Sequence, residues 1–299
     1  MGKNPELDAL VDSIASRVRE RLHEMAESGS KPKSTNSRPE PKRRNYDDWT
    51  SKRKTADTRA IIRNGASRVA AAADSGQVDS DLARYIDHTL LKAETDKEQL
   101  EKLCAEASRF GFASVCVNPA NVRFCSDRLA GTGVVVCTVV GFPLGATTPG
   151  AKAFEARDAI RAGAREIDMV LNVGALKSRD YALVLKDIQK VVEASRPHTV
   201  KVILETGHLD EKEIIVACTL SKVAGAHFVK TSTGFGPGGA TVDHVRLMKA
   251  VVGPEIEVKA SGGVRSAEDV RGMIEAGATR IGASASVAIV TGGKGKSGY

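Results

Sequence analysis

The sequence predicts a (β/α)8 barrel, because short apolar runs typical of buried parallel strands alternate with longer helical patterns. Eight such runs lie at residues 85–91, 113–117, 134–140, 166–171, 200–204, 227–230, 256–259 and 279–282. Helical patterns separate them at residues 96–110, 150–162, 179–194, 211–225, 242–252 and 267–276, and residues 119–128 are also compatible with a helix. The repeating region, residues 81–291, has the length of a small barrel of this class. An open doubly wound sheet is the alternative, and the lack of a GxGxxG motif after the first strand disfavours it.

The composition is that of a soluble globular protein, with 41% hydrophobic and 27% charged residues. Five cysteines without a CxxC pair predict free thiols in a reducing compartment. The six histidines show no HxxxH spacing, so no structural zinc site is expected. No run approaches the roughly 18 apolar residues of a membrane span, and no signal-peptide core begins the chain. We therefore expect a cytoplasmic protein that has no membrane partner.

Residues 1–28 have the pattern of an amphipathic helix, which we place at residues 5–28. Apolar residues recur on one stripe at three- and four-residue spacing: Leu7, Leu10, Val11, Ile14, Val18, Leu22 and Met25. Acidic residues on the other face disfavour a lipid-surface helix. Packing on the chain's own domain and a coiled-coil oligomer are two structural alternatives.

Residues 29–80 are predicted to be a basic flexible linker, with a short helix at about residues 55–73. The first half of this segment is rich in Lys, Arg, Ser and Pro and nearly lacks aliphatic side chains, so it cannot bury enough surface to order itself. Its aromatic residues are Tyr46 and Trp49, and specific nucleic-acid binding is not expected. A helix on such a tether is more typical of a docking peptide than of a core element. Residues 292–299 are predicted to be a flexible tail.

Three ionisable residues interrupt strand patterns that are otherwise apolar. Lys230 ends the sixth run, Lys259 occupies the corresponding place in the seventh, and Asp168 lies inside the fourth. In a barrel of this class the chemistry lies at the carboxyl ends of the strands, so we expect the three side chains on one rim. Two neighbouring lysines repel each other as cations, which lowers their pKa and favours a neutral, nucleophilic amine. A carboxylate beside them can move protons. Strand-end lysines that simply reach solvent are the alternative interpretation.

Glycine-rich loops follow the last three predicted strands. Gly262 and Gly263 follow the seventh strand, Ser284 follows the eighth before a short helix, and Gly234 follows the sixth. Glycine lets backbone amides approach an anion, and barrels of this class often bind phosphate with the loops after strands seven and eight. The pattern predicts a phosphate site, although glycines in tight turns would give the same sequence.

The region from about residue 85 to residue 286 closely resembles the deoxyribose-phosphate aldolases, a class I aldolase family. The motifs are Tyr-Ile-Asp-His-Thr-Leu-Leu at 85–91, Glu-Ile-Asp-Met-Val-Leu-Asn at 166–172, Lys-Val-Ile-Leu-Glu-Thr-Gly at 201–207, Phe-Val-Lys-Thr-Ser-Thr-Gly-Phe at 228–235, Val-Lys-Ala-Ser-Gly-Gly-Val-Arg at 258–265 and Ile-Gly-Ala-Ser at 281–284. The resemblance implies reversible cleavage of 2-deoxy-D-ribose 5-phosphate to acetaldehyde and D-glyceraldehyde 3-phosphate, with no metal or other cofactor.

The same resemblance implies residue roles. Lys230 would form the Schiff base, Asp168 would donate and accept protons, and Lys259 would be the second essential lysine. The substrate and its phosphate group would be bound by Gly234, Gly262, Gly263, Ser284, Asp87 and Thr233. A transaldolase-like Schiff-base barrel that acts on phosphosugars is the alternative, and a phosphosugar isomerase barrel would not need the lysine.

The N-terminal segment resembles the encapsulation peptides that dock cargo enzymes to bacterial microcompartment shells. Residues 5–28 are therefore predicted to bind shell proteins, which would place the enzyme inside a microcompartment in the cytoplasm. Such a helix also favours self-association, and we expect a homo-oligomer, with a dimer as one form.

Overall fold

A computed structural model describes residues 79–293 and 295, together with residues 9, 12–13, 16–20 and 23 near the start of the chain. Eight parallel strands close into a barrel in chain order. They are β1 (Ile86–Leu90), β2 (Ser114–Val117), β3 (Val135–Val140), β4 (Glu166–Val170), β5 (Thr199–Ile203), β6 (Phe228–Lys230), β7 (Glu257–Ser261) and β8 (Arg280–Ala283). The predicted (β/α)8 architecture is confirmed.

Helices connect the strands and cover the outside of the barrel. They are α1 (Ser80–Ala83), α2 (Lys97–Phe110), α3 (Val122–Arg128), α4 (Pro149–Ala162), α5 (Val173–Lys177), α6 (Tyr181–Ser195), α7 (Glu211–Val223), α8 (Val242–Val252), α9 (Ala267–Glu275) and α10 (Ser286–Val290). Most of these helices are preceded by a residue whose side chain accepts a hydrogen bond from a backbone amide of the first turn. In α2, Asp96 and Gln99 form a capping box. The sequence pattern does not predict α1 or α5, because four or five residues are too few to show a helical period.

The strands are buried on both faces, as the continuous apolar runs predicted. All five residues of β4 are buried, and so are all four of β2. Their outward side chains pack beneath the helices in one large apolar cluster, while several inward positions hold polar and charged side chains. Because neighbouring parallel strands keep a fixed register, inward residues of adjacent strands meet side by side.

The predicted N-terminal helix can be followed at residues 9, 12–13, 16–20 and 23, all of which are helical. Val18 is buried in the same apolar cluster as the barrel residues. Asp12 accepts a hydrogen bond from Lys212 at 2.6 Å, and Arg19 donates one to Glu211 at 3.0 Å. The helix therefore contacts its own barrel at α7, whereas the linker composition had favoured a tethered peptide. Burial of Val18 in the core, assisted by the charge pairs with α7, accounts for the difference, and the linear sequence reveals neither contact.

Several predictions fall on residues outside the described ranges. They are the linker at 29–80 apart from its last two residues, the short helix at 55–73, and the tail at 292–299 apart from residues 292, 293 and 295. The five cysteines are free and buried, as predicted. Among the described residues, none of the helices is long and apolar enough to cross a lipid bilayer.

Candidate active site

The three ionisable residues singled out in the sequence converge inside the barrel. Lys230 is the last residue of β6, and Lys259 and Asp168 are the third residues of β7 and β4. The ammonium groups of both lysines donate to the same oxygen, Asp168 Oδ2, each at 2.8 Å. Lys230 is 3% exposed, and the other two side chains are fully buried. The predicted cluster therefore exists, with Lys230 at its more accessible end.

The strand register explains how the two lysines come together. Lys230 and Lys259 are direct partners between β6 and β7, so their side chains leave the sheet side by side. Gly282 of β8 leaves room for the second lysine. A Cβ atom at that position would lie 3.1 Å from Lys259 Cε and 2.9 Å from Ser261 Cβ. The absence of a side chain at Gly282 thus allows Lys259 to cross the barrel interior to Asp168.

A larger ionic network lies beneath this cluster. Lys201 donates to Asp168 Oδ1 at 2.9 Å and to Glu166 Oε2 at 2.5 Å. Lys259 also donates to Asp87 Oδ2 at 2.5 Å, and Arg280 bonds both Asp87 and Glu166, at 2.7 and 2.9 Å. The Cys137 thiol donates to Asp168 Oδ1 at 3.1 Å. The catalytic cluster is therefore the upper end of a connected set of buried charges.

Sequence reasoning did not assign roles to Lys201, Glu166 and Arg280. The signal was present, because each is an ionisable residue inside a strand-like apolar run, as Lys230 and Asp168 are. Two of these charged residues, Glu166 and Arg280, open their strands, and charged residues at that position commonly reach solvent, so their pattern alone does not indicate a role. An ionisable residue within a strand-like apolar run is the feature that all three share with Lys230 and Asp168.

Electrostatics keep the buried groups of the network charged. Burial alone would raise the pKa of Asp168, but the ammonium groups of Lys201, Lys230 and Lys259 outweigh it and hold that pKa well below its usual range. Burial alone would likewise lower the pKa of Lys259. The carboxylates of Asp168 and Asp87 reverse that effect and raise the pKa above its ordinary value. Charge pairing thus dominates burial at both Asp168 and Lys259.

The expectation that two neighbouring lysines lower each other's pKa is wrong for Lys259. That expectation counted the repulsion between the two cations and only one carboxylate. In the folded barrel Lys259 bonds two carboxylates, Asp168 and Asp87, both fully buried. Lys259 is therefore a permanent cation beside Lys230 at neutral pH.

The residues of the predicted phosphate site form a set of loops at the carboxyl ends of β6, β7 and β8. Gly234, Gly262 and Gly263 all have positive φ angles, between 79° and 88°, which side-chain-bearing residues rarely adopt. Two of these loops touch, since Ala240 N donates to Gly262 O at 2.9 Å. Ser284 is exposed just before α10, which has only five residues. The predicted phosphate-binding residues therefore lie on three neighbouring loops at one rim of the barrel.

Two residues predicted to bind substrate have other partners. Asp87 is fully buried, and its two carboxylate oxygens are bonded by Lys259 and Arg280, so it belongs to the ionic network rather than to an anion site. A carboxylate would also repel a phosphate group. Thr233 is buried, and its hydroxyl donates to the carboxylate of Glu205. Sequence reasoning assigned no role to Glu205, although it lies in one of the motifs that carry the resemblance.

A cavity of about 420 Å³ lies beside Thr233 at the same rim. Its wall is mostly apolar, with Phe235 and the exposed Leu144, and Lys177 and His208 also line it. Phe235 packs edge-on against Phe142, with ring centroids 5.2 Å apart. The loop that follows Lys230 therefore borders a space large enough for a small organic molecule.

Two buried groups of potential metal ligands lie among the described residues. Cys116, Cys137 and Asp168 form one, and Asp87, Cys137 and Glu166 form the other, with ligand atoms within 4.8 Å of one another. The carboxylates in both are already bonded by lysine or arginine, and burial raises the pKa of the Cys137 thiol. These positively charged surroundings do not fit a metal cation. The absence of a metal from the reaction stays a prediction.

A barrel with lysines and a carboxylate converging near the carboxyl ends of its strands has the architecture of a (β/α)8 enzyme that acts through a lysine. A model of the DeoC/LacD family aldolases matches residues 82–295. The chain therefore belongs to the DeoC/LacD aldolase family.

Named relatives agree with this assignment. A deoxyribose-phosphate aldolase from Lysinibacillus sphaericus is 60% identical over 216 residues, which cover 72% of this chain and 97% of the relative. One from an Exiguobacterium species is 61% identical over 220 residues, 73% of this chain and 100% of the relative. The structure of a tetrameric deoxyribose phosphate aldolase from Aeropyrum pernix is 34% identical, with a TM-score of 0.67 over 78% of this chain and 96% of that chain.

Proposed function

We propose that the protein cleaves 2-deoxy-D-ribose 5-phosphate reversibly to acetaldehyde and D-glyceraldehyde 3-phosphate through a Schiff base on Lys230. The observation that supports it most is the pair of lysines, Lys230 and Lys259, that share one oxygen of a buried carboxylate. Relatives about 60% identical bear the name of that activity. Lys230 is the least buried member of the trio and the one that ends its strand, which favours it as the residue that meets substrate.

The reaction follows from the chemistry of an amine. The neutral amine of Lys230 attacks the aldehyde carbon of the open-chain sugar, and uptake of a proton with loss of water gives an iminium ion. A base removes the proton of the C3 hydroxyl, the C2–C3 bond breaks, and its electron pair passes into an enamine while C3 becomes the aldehyde of the released product. Protonation of C2 and addition of water then free acetaldehyde and restore the amine. Asp168, with water, is the group placed to move these protons.

The network gives Lys201 and Lys259 a defined part in this cycle. When Lys230 leaves Asp168 to attack the substrate, the carboxylate keeps its bonds to Lys259 at Oδ2 and to Lys201 at Oδ1. Asp168 is therefore not left as an unpaired buried charge, which would cost several kcal/mol. The permanent positive charge of Lys259 also stabilises negative charge that develops near Asp168.

Trapping the imine tests this function directly. Reduction with borohydride in the presence of acetaldehyde should add two carbons to one peptide, and mass mapping should place them on Lys230. Lys230→Ala should lose at least about 10³-fold in kcat, because no other amine replaces the nucleophile. A Lys230→Ala protein that is trapped equally well, or that remains fully active, would refute the assignment. A panel of phosphosugars distinguishes the alternative, since a transaldolase-like enzyme would transfer a larger fragment and prefer longer sugars.

We also propose that residues 5–28 bind microcompartment shell proteins and place this enzyme inside a shell in the cytoplasm. The amphipathic pattern supports this, as does the product, because acetaldehyde is small, volatile and reactive. The contacts of Asp12, Val18 and Arg19 with the barrel would have to open during such docking. Residues 1–59 fused to a fluorescent protein should form foci when shell proteins are co-expressed. Diffuse fluorescence that Leu10→Glu/Ile14→Glu does not change would exclude the targeting role.

A homo-oligomer is proposed on the basis of large apolar side chains on the surface. Phe154 of α4 and Val223 of α7 are each 63% exposed. Such side chains are often covered by a partner. Light scattering on the purified protein measures the assembly, and a monomer at micromolar concentration would contradict this expectation.

A further inference from the structure

Glu205 is a buried carboxylate that the proposed chemistry does not use. It lies two residues after the end of β5, is 4% exposed, and has a φ angle of 58°, in the left-handed region. A residue with a side chain rarely adopts this conformation, and such strain persists where surrounding contacts enforce it. The position of its carboxylate is thus specified by the fold.

That carboxylate holds the loop that follows Lys230. It accepts hydrogen bonds from Thr233 N, at 3.2 Å to Oε2, and from the Thr233 hydroxyl. The hydroxyl in turn accepts a bond from Phe235 N at 3.0 Å. One carboxylate therefore fixes both the backbone and the side chain of Thr233, and through it the amide of Phe235.

The backbones of the two loops are in close contact around these bonds. A Cβ atom on Gly236 would lie 3.0 Å from Glu205 Cδ, and one on Gly207 would lie 1.9 Å from Pro237 O. Thr206 N also donates to Thr231 O at 3.0 Å. The loop after β5 thus fits against the loop after β6 with no space for a side chain, and Gly234 lies on the loop so held.

We infer that Glu205 is a positioning residue that holds the loop after β6 in the shape that binds the phosphate group of the substrate. The inference rests on the proposed function, and it assigns to Glu205 the preference for phosphorylated over unphosphorylated sugar. Glu205 also lines the cavity at this rim, but the hydrogen bonds of its carboxylate go to Thr233, so it acts through that residue. Its loss should therefore weaken binding of the phosphate group and leave the chemistry at Lys230 intact.

The test compares Glu205→Ala, Glu205→Gln and Glu205→Gly with wild type on 2-deoxyribose 5-phosphate and on 2-deoxyribose. For Glu205→Ala we expect KM for the phosphorylated sugar to rise at least about tenfold with kcat changed less than about threefold, which is the signature of lost uniform binding. The value of kcat/KM for 2-deoxyribose should stay within about twofold. Glu205→Gly, which relieves the backbone strain, should behave like Glu205→Ala. Glu205→Gln should be intermediate, because its amide oxygen retains one acceptor.

The matched control is Glu193→Gln, an exposed carboxylate near the end of α6, which should behave as wild type. Borohydride trapping on Lys230 confirms that each variant retains a working nucleophile. If Glu205→Ala does not fold, Thr233→Val and Thr233→Ser decide the question. Thr233→Val, which lacks the hydroxyl, should raise KM for the phosphorylated sugar. Thr233→Ser, which keeps the hydroxyl, should have a KM close to that of wild type.

An unchanged or lowered KM for the phosphorylated sugar in all Glu205 variants would overturn the inference, as would equal losses on both sugars. Titration with inorganic phosphate separates this result from failure of the proposed function. If wild type does not cleave the sugar phosphate, the proposed function fails, and weaker phosphate binding by Glu205→Ala than by wild type still supports the positioning role. Equal phosphate binding by the two proteins rejects it.

Discussion

Asp168 is the residue on which the ammonium groups of the site converge, since Lys201, Lys230 and Lys259 all donate to its two oxygens. Its pKa is lowered on folding by those cations, against the effect of burial. A lowered pKa stabilises the folded state above the unfolded-state value of about 3.9, and that stabilisation is lost as pH falls through the lower folded-state value. Asp168 is therefore ionised throughout the neutral range.

Asp168→Asn should lower the free energy of unfolding by about 3–5 kcal/mol, because it leaves three buried ammonium groups without their common partner. The difference from wild type should be constant between about pH 5 and pH 9 and shrink below about pH 4, where wild type loses its advantage. Urea unfolding of wild type and Asp168→Asn at a series of pH values measures this difference in the free energy of unfolding. A difference that shrinks already at pH 6 would show that Asp168 titrates near neutrality. Asp127→Asn, at an exposed helical position, is the control.

Gly282 provides the space through which Lys259 reaches Asp168, and its substitution tests that geometry. In Gly282→Ala the new methyl group would lie 3.1 Å from Lys259 Cε and 2.9 Å from Ser261 Cβ, so the lysine must move. We expect a loss of about 1–3 kcal/mol in stability from overpacking and a fall in kcat of at least about tenfold. Gly272→Ala, inside α9 with the nearest atom at 3.8 Å, should leave kcat unchanged and raise stability by about 0.5–1 kcal/mol. Unchanged kcat in Gly282→Ala would mean that the position of Lys259 tolerates this crowding.

At the scale of elements, a second buried ion pair joins α4 to α6. Lys152 Nζ donates to Asp187 Oδ2 at 2.5 Å and to Val170 O of β4 at 2.9 Å. Both side chains are almost wholly buried. Burial lowers the pKa of Lys152 and raises that of Asp187, so desolvation outweighs their mutual attraction. This pair therefore differs from the catalytic network, where attraction prevails.

Removing one residue of the Lys152–Asp187 pair should lower the free energy of unfolding more than removing both residues. Lys152→Met or Asp187→Leu alone should lower the free energy of unfolding by about 3–5 kcal/mol, because each leaves a charge buried without its partner. The double variant should lie closer to wild type than either single variant, since no unpaired charge remains. Chemical denaturation of all four proteins gives the coupling energy. Additive effects would show that the two side chains stabilise the helix packing independently.

At the scale of the whole molecule, the question is what the first 78 residues contribute. Val18 is buried against the barrel, and its loss should cost about 1.5–3 kcal/mol. A fall in Tm of about 3–12 °C would follow for a domain of this size. The ion pairs of Asp12 and Arg19 are exposed and add little. None of these contacts involves Lys230, Asp168 or Lys259.

Deleting residues 1–78 should therefore leave kcat within about twofold of the full chain while lowering Tm. Val18→Asp in the full chain should reproduce the shift in Tm, and Ala9→Ser, at an exposed position, should not. Differential scanning calorimetry and steady-state kinetics give the two values. A large loss of kcat on truncation would assign the extension to the active site or to an assembly that the site requires.

The sequence by itself determined the barrel and the location of its site. Strand and helix periods are local properties, so eight apolar runs and the helices between them could be identified without any contact information. Burial of parallel strands on both faces made Lys230, Lys259 and Asp168 conspicuous, and the rule that chemistry lies at strand ends predicted that they meet. They do meet, although Lys259 and Asp168 lie at mid-strand inside the barrel rather than on its rim.

Only the tertiary structure decided what these residues bond to. Lys259 meets Asp87 across 172 positions of sequence, and that contact, absent from any local pattern, sets the direction of its pKa shift. The contact of Glu205 with Thr233 and that of Val18 with the barrel are likewise long-range. The energy of a buried charge depends on every neighbour within a few ångströms, and closure of the barrel, rather than spacing along the chain, determines those neighbours.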